Sequence, residues 1–242
     1  MVDIRQGDCL DLMCSIDEQS VDMICCDLPY GITNNAWDKV IPFESMWDQY
    51  HRVIKPDGAI CLFAVEPFAT RLRSSNMKEY HYDWCWFKHS KTGFLNARRQ
   101  PLRAYENILV FYKKQPVYHG ELLSGPLSPN KVSRNSSSNY RTTSGKIRPG
   151  FHHPFKSNII DCKSVACSNE KALHPTQKPV GLMEFLIDTY TDEGDTILDN
   201  CMGSGTTGVA AIRRHRNFIG YELDSRYFSV AQIRMNEIIE NG

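Results

Sequence analysis

Thr196-Ile197-Leu198-Asp199-Asn200-Cys201-Met202-Gly203-Ser204-Gly205-Thr206-Thr207-Gly208 leads from an apolar stretch through a glycine turn into a helical one. Turns of this kind are where α/β proteins bind nucleotide-like cofactors, because glycine lets the backbone approach a ligand closely. Gly203 to Gly208 spells G-x-G-x-x-G, and Glu222 closes the next apolar run 14 residues further on. An acid at that strand end can accept hydrogen bonds from ribose hydroxyls. The motif points to an adenosine-type cofactor without choosing between NAD and S-adenosylmethionine, and a ligand-free turn is the plain alternative. A kinase-type phosphate loop needs a lysine that this stretch lacks.

Position in the chain narrows the choice. A dinucleotide fold usually places its glycine turn first, whereas this one comes nearly last. Lys178, within His174-Pro175-Thr176-Gln177-Lys178-Pro179, stands just ahead of the helix that precedes the glycine strand. A cation there can hold the carboxylate of an amino-acid-bearing cofactor, which NAD does not have.

Working outward, residues 21–26 form a short apolar run that ends in Asp27-Leu28-Pro29-Tyr30, an acid, a backbone kink and an aromatic face. The pattern predicts a buried parallel strand at 21–26 and a helix at 42–54. Further strands are expected at 59–65, 82–87 and 107–112, with Pro67 opening another helix. Beyond the basic middle, the expectations are a helix from Pro179, a strand at 196–198, a helix at 206–213, a strand at 218–221 and a closing helix at 224–240. Asp224 suits the N-cap of that last helix, with Tyr227, Val230, Ile233, Met235 and Ile238 in its apolar stripe. Strands separated by helices predict an α/β fold, a doubly wound, mostly parallel sheet.

The composition, 41% hydrophobic and 23% charged, is that of a folded chain. MVDIRQGDCL lacks a signal-peptide pattern and no apolar run approaches about 18 residues, so a cytoplasmic protein away from membranes is expected. The nine cysteines are scattered, and Cys162 and Cys167 are spaced too widely for a zinc-type pair, so no metal site is expected. The formal charge of zero conceals an asymmetry. Residues 1–87 hold 7 Lys+Arg against 14 Asp+Glu, residues 88–156 hold 13 against 2, and residues 157–242 hold 8 against 12. A block as basic as the middle one fits a phosphate-binding surface. Lys88, Lys91, Arg98, Arg99 and Arg103 are its leading candidates for phosphate contact. Lys131, Arg134, Arg141, Lys146 and Arg148 lie in a Pro/Gly/Ser/Asn-rich stretch, 113–157, read as a flexible loop.

Taken in order, Gly7-Asp8-Cys9, Asp27–Tyr30, the basic insertion, His174–Pro179, Asp199–Gly205 and Ile219-Gly220-Tyr221-Glu222 resemble the motifs of the beta class of DNA amino-methyltransferases, which modify adenine N6 or cytosine N4. The resemblance covers nearly the whole chain. It implies a permuted seven-stranded Rossmann-like sheet in which a strand near residues 2–5 lies beside the Phe218 strand. It divides the chain into a catalytic half (1–87), a target-recognition region (88–170, with the strand at 107–112) and a cofactor half (171–242). The basic candidates of the middle region would then contact DNA, with the 113–157 loop closing over the duplex. S-adenosyl-L-methionine is the implied cofactor. Asp8 and Cys9 would meet its adenine and Glu222 its ribose. His174, Thr176 and Lys178 would hold its methionine end, with Asp27, Met202, Gly203 and Ser204 lining the pocket. Two departures stand out: Leu28 replaces the usual proline, and Asn200-Cys201 replaces Pro-Phe, removing a ring that would pack on the cofactor.

The implied chemistry is amine methylation. An exocyclic amine is a poor nucleophile because its lone pair is delocalised into the ring. The Asp27 carboxylate and the Leu28 carbonyl would take its two N–H groups and push the nitrogen toward tetrahedral geometry. Leucine keeps the carbonyl, and Pro29 holds Leu28 extended. Tyr30 would stack on a base flipped out of double-stranded DNA. Asp27 favours adenine, since the resembling cytosine enzymes more often carry serine there. N4-cytosine methylation is the runner-up; an RNA or protein methyltransferase, an NAD-dependent oxidoreductase and a silent DNA-binding protein are remoter readings. Beyond DNA, a homodimer and a cognate restriction endonuclease are partners left open.

Overall fold

The computed structural model describes residues 1–33, 35, 38–120, 128–129, 151–152, 157–170, 172–174 and 176–241. It divides into one unit of residues 1–118 and 158–242 and a second of residues 119–157. The described strands of the second unit, β6 (Ser128–Pro129) and β7 (Phe151–His152), form an antiparallel pair. Lys131, Arg134, Arg141, Lys146 and Arg148 lie outside the described residues, as does most of the expected 113–157 loop.

The first unit is built on one eight-stranded sheet in the order β1-β10-β9-β2-β3-β5-β4-β8. Its strands are β1 (Val2–Gln6), β2 (Val21–Cys26), β3 (Ile54–Ala64), β4 (Tyr80–Thr92), β5 (Arg103–Phe111), β8 (Ile159–Asp161), β9 (Thr196–Asp199) and β10 (Asn217–Glu222). Neighbours from β1 to β3 are parallel; β5 runs antiparallel to β3 and β4. Val2 pairs with Phe218, the permuted placement the resemblance implied.

Two points correct the sequence reading. The sheet has eight strands instead of seven, because three residues at 159–161 add an edge strand parallel to β4. The strand expected in the recognition region, β5, is interior to the main sheet, between β3 and β4. Its Ile108-Leu109-Val110-Phe111 run is wholly buried, which requires cover on both faces.

Helices supply that cover. Ile24 and Cys26 share a core with Met13 of α1 (Cys9–Met13), Tyr50 and Val53 of α2 (Phe43–Val53) and Phe68 and Leu72 of α3 (Phe68–Ser75). Cys25, pointing the other way, reaches Met183 of α4 (Val180–Tyr190), with sulfurs 3.9 Å apart. Each such buried aliphatic or sulfur side chain contributes about 1.5–3 kcal/mol. Beyond β9, α5 (Thr206–Arg213) packs on α6 (Ser225–Asn241), where Asp224 caps the first turn by accepting from Arg226 N at 2.9 Å. The buried stripe of α6 is Tyr227, Ala231 and Met235; Ile233, expected in it, is exposed. Gly208 is what lets α5 settle: a Cβ there would lie 2.4 Å from the Met235 sulfur and 2.7 Å from the Phe218 ring. No helix is long and apolar enough to cross a membrane among the described residues.

Candidate active site

The chain turns outward in both directions from the β9–β2 pair, and the carboxyl ends of parallel strands at such a switch point form a crevice. β2 delivers Asp27 to that edge, β9 delivers Asp199 and β10 delivers Glu222. Because β5 is antiparallel, its first residues arrive at the same edge and bring Glu106; β4 returns there with Lys88. A cavity of about 720 Å³ opens at this edge, within the usual range for small-molecule sites. It is lined by Asp27, Leu28, Pro29, Tyr30, Asp8, Cys9, His174, Thr176, Lys178, Met202, Gly203, Ser204 and Glu222, so the two motif groups share one chamber.

At one end lies a cluster of paired charges. Lys178 Nζ donates to Asp27 Oδ2 at 2.6 Å and stands 3.3 Å from Glu106 Oε2. Lys88 Nζ donates to Glu106 Oε1 at 2.8 Å, and Tyr30 OH donates to Asp27 Oδ1 at 2.6 Å. Lys178 also rides over the faces of Phe63 and Trp86, 5.1 and 6.0 Å from their centroids. Burial disfavours the Lys178 charge, but two carboxylates outweigh it and hold the ammonium above its ordinary pKa. Asp27 is pushed above the usual carboxylate range by burial and, less strongly, by the like charge of Glu106, against the pull of Lys178. Glu106 is held below that range: burial works against its charge, and the two lysines prevail. Its Oε2 is a buried acceptor whose ion pair with Lys178 does not complete a hydrogen bond.

Lys178, read as a partner for a cofactor carboxylate, is held here by Asp27 and Glu106. Lys88, read as part of the DNA-facing surface, is only 6% exposed and faces the cavity. Its burial had a signal: Trp84, Trp86 and Lys88 alternate along β4, so the strand's period of two carries Lys88 onto the face of the two buried indoles. Glu106 also went unread, although it heads an apolar strand as Asp27 ends one.

The other end relies on backbone and neutral groups. Gly203 and Gly205 adopt φ of 53° and 77°, a left-handed conformation that strains any residue with a Cβ, and at Gly205 a Cβ would fall 2.9 Å from that of Ala231. Gly203 N donates to Glu222 Oε2 and Asp224 N to Glu222 Oε1, both at 2.8 Å. Each carboxylate oxygen retains a second lone pair for a hydroxyl donor. His174 stands beside Gly203, takes Thr176 N at 3.2 Å on Nδ1 and meets the Tyr227 ring edge-on at 4.0 Å. Burial, with the charges of Lys178 and Arg226, lowers its pKa to about 4, so the ring is neutral at pH 7. Asp8 lines the cavity while capping α1 through Leu10 N at 2.8 Å. Asn200, where the missing ring was noted, is buried and accepts from Tyr50 OH at 2.6 Å; Cys201 beside it packs on the core. Tyr227 from α6 provides an aromatic ring on the cavity wall nearby.

Asp38, unread in the sequence, ties down the segment after Tyr30 by accepting from Gly31, Ile32 and Thr33 N at 2.7–3.0 Å. Of the other basic candidates, Lys91, Arg98, Arg99 and Arg103 are exposed around the β4–β5 connection.

The model of the N6/N4 DNA methylase family matches residues 21–233, nearly the whole chain. The chain belongs to this family. Among its relatives is the DNA adenine methyltransferase YhdJ of Escherichia coli (strain K12), 29% identical over 96% of this chain and 82% of that protein. Type II methyltransferase M.HpaI of Haemophilus parainfluenzae is 27% identical, covering 92% of this chain and 70% of the relative. The solved complex of M1.HpyAVI with S-adenosylmethionine superposes with a TM-score of 0.66 at 25% identity, covering 98% of this chain and all of that one. PvuII DNA methyltransferase, cytosine-N4-specific, shares the fold with a TM-score of 0.71 at 17% identity, over 99% and 90% of the two chains. The cofactor expected from the sequence is therefore the one named in the M1.HpyAVI complex.

Proposed function

We propose that this DNA methylase transfers the methyl group of S-adenosylmethionine to N6 of an adenine flipped out of double-stranded DNA. The reading rests chiefly on one observation: the carboxylate that ends β2 opens into the same cavity as the glycine turn, half-buried and paired with a cation. Bound there, S-adenosylmethionine supplies an electrophilic methyl on a sulfonium centre. The residues present suit it. Gly203 leaves room for a close approach, Glu222 offers acceptor oxygens to a ribose diol, and the neutral His174 places no positive charge against a sulfonium. Asp8 and Cys9 line the adenine end; Thr176, Met202 and Ser204 line the remainder.

At the charged end, the Asp27 carboxylate and the Leu28 carbonyl are the acceptors for the amine. Asp27 must be ionised to accept, and Lys178 and Tyr30 orient it from two sides. Its raised pKa equips it to receive the proton that the amine sheds as the new C–N bond forms. Rate comes from positioning and preorganised electrostatics. Glu106 and Lys88 complete the ion cluster, so that burying Lys178 leaves no uncompensated charge. Tyr30, packed 5.0 Å from Phe68 and hydrogen-bonded to Asp27, is a fixed platform for the extruded base. Stacking on it returns about 1–3 kcal/mol toward extrusion.

Cytosine N4 presents the same two N–H groups, so the modified base itself is the test. DNA from cells expressing the protein is digested to nucleosides and resolved by mass spectrometry. N6-methyladenine is the expected product, lost in cells expressing Asp27→Ala. N4-methylcytosine alone would sink the adenine reading while leaving the amine mechanism in place.

A further inference from the structure

The connection from β4 to β5 holds two large apolar side chains out into water. Phe94 is 69% exposed and Leu95 102%. Single exposed apolar residues are ordinary, but an adjacent pair held out together forgoes the burial that would stabilise each side chain. This pair is also fixed in place. Gly93, at φ 94°, starts a 3-10 turn over Phe94–Asn96. Asn96 N donates to Gly93 O at 3.0 Å, Ala97 N to Phe94 O at 3.1 Å, and both Arg99 N and Gln100 N to Asn96 O at 2.8 and 3.0 Å. The connection springs from Thr92 and Arg103, which pair across the two strands and line the cavity rim with Ser90 and Tyr105. Around the apolar tip stand the exposed Lys91, Arg98, Arg99 and Arg103.

We infer that Phe94 and Leu95 form a wedge that enters duplex DNA at the target base pair and occupies the gap vacated by the extruded base. Lys91, Arg98, Arg99 and Arg103 hold the flanking phosphates. This rests on the flipped-base reading above. Phosphates account for the cations but offer nothing to a phenyl ring and an isobutyl group; the apolar space in DNA is between stacked bases, and wedges of Phe and Leu are the residue types that open it. The position agrees: the tip hangs from the strand ends that line the cavity into which Asp27 opens. A wedge offsets the unstacking that extrusion costs.

The test uses the full chain and a duplex whose site has been read by single-molecule sequencing of DNA from expressing cells. Radiolabelled methyl transfer is measured for wild type, Phe94→Ala/Leu95→Ala and Arg98→Ala/Arg99→Ala on the matched duplex and on one carrying a mismatch at the target pair. The wedge variant is expected to fall about 10–100-fold below wild type on the matched duplex and to recover to within about threefold where the mismatch has already weakened pairing. The arginine variant loses equally on both and shows a shallower salt dependence. An unimpaired wedge variant, or an equal loss on both duplexes, overturns the inference. So does sedimentation showing a wild-type dimer that the wedge variant converts to monomer, because the tip would then serve a second copy. If the wild type labels no DNA at all, the functional reading has failed, and the wedge with it.

Discussion

Asp27 and Asp199 end neighbouring parallel strands, both line the cavity, and both are carboxylates raised above their ordinary pKa by burial. Their partners differ. Asp27 is held by a lysine ammonium and a tyrosine hydroxyl, and its side chain remains 21% exposed toward the cavity. Asp199 is 4% exposed and accepts from neutral donors, Thr207 Oγ1 at 2.6 Å, Cys201 N at 3.1 Å and the Cys26 thiol. Those bonds fasten the first turn of α5 to the end of β9. A half-buried carboxylate next to a cation keeps its charge and can act on a ligand. One surrounded by hydroxyl, thiol and amide donors shapes a turn. A perturbed pKa alone would not separate the two.

The largest effect that could break this contrast is on turnover. Asp27→Asn keeps the shape but offers an NH2 group where an acceptor is needed, and kcat should fall about 10²–10⁴-fold. S-adenosylhomocysteine affinity, measured by calorimetry, should stay within about threefold, because Glu222 and the glycine turn are untouched. Asp199→Asn should retain at least about a tenth of wild-type kcat, since its role is to hold backbone. An Asp199 variant as dead as the Asp27 one would dissolve the distinction.

A second effect sharpens it through pH. Asp27 accepts the amine only when ionised, so kcat should drop as pH falls through a value above the ordinary ~3.9 of aspartate. The groups that face it are Lys178, Glu106, Tyr30 and, across the strand ends, Cys25 and Asp199. Lys178→Gln removes the charge that holds its pKa down, and the acid limb of the kcat profile should move up by about 1–3 pH units. Glu106→Gln removes a like charge and should move the limb the other way. Limbs that stay put in both variants would mean that a group other than Asp27 controls the profile.

Much of this arrangement was legible before any coordinates. Residues 21–26 and 206–213 read at their observed boundaries because an apolar run stops at an acid in one case and follows a glycine turn in the other. Asp27 and Glu222 sit at strand ends and Gly203 in the turn that follows one, and such places can be found by local pattern. The pairings between those ends could not. Lys178 meets Asp27 across 151 residues of chain, and its approach to Glu106 depends on β5 running antiparallel, which no local spacing encodes. The charge excess of residues 88–156 led to Lys88 as a DNA contact, whereas the alternation with Trp84 and Trp86 pointed inward. β8 escaped because three residues are too few to show a period, and Ile233 joined the α6 stripe on hydrophobicity although Ala231 occupies the buried position.

The smallest expected effect concerns stability. The folded pKa of Asp199 is raised by burial to about 6, whereas in the unfolded chain it is about 3.9. Between these values the folded state binds the additional proton, so stability falls as pH rises through the window. The loss attributable to this one side chain is about 2–3 kcal/mol, complete above about pH 7. Asparagine cannot ionise, so Asp199→Asn should lack that part of the decline. Urea unfolding of wild type and Asp199→Asn at a series of pH values isolates it, because the similarly signed contribution of Asp27 is common to both proteins and cancels in the difference. The stability of wild type relative to Asp199→Asn should therefore rise by about 2–3 kcal/mol as pH falls from 7 to 4. Parallel curves would mean that Asp199 has the same pKa folded and unfolded, and the contrast with Asp27 would then have to rest on partner geometry alone.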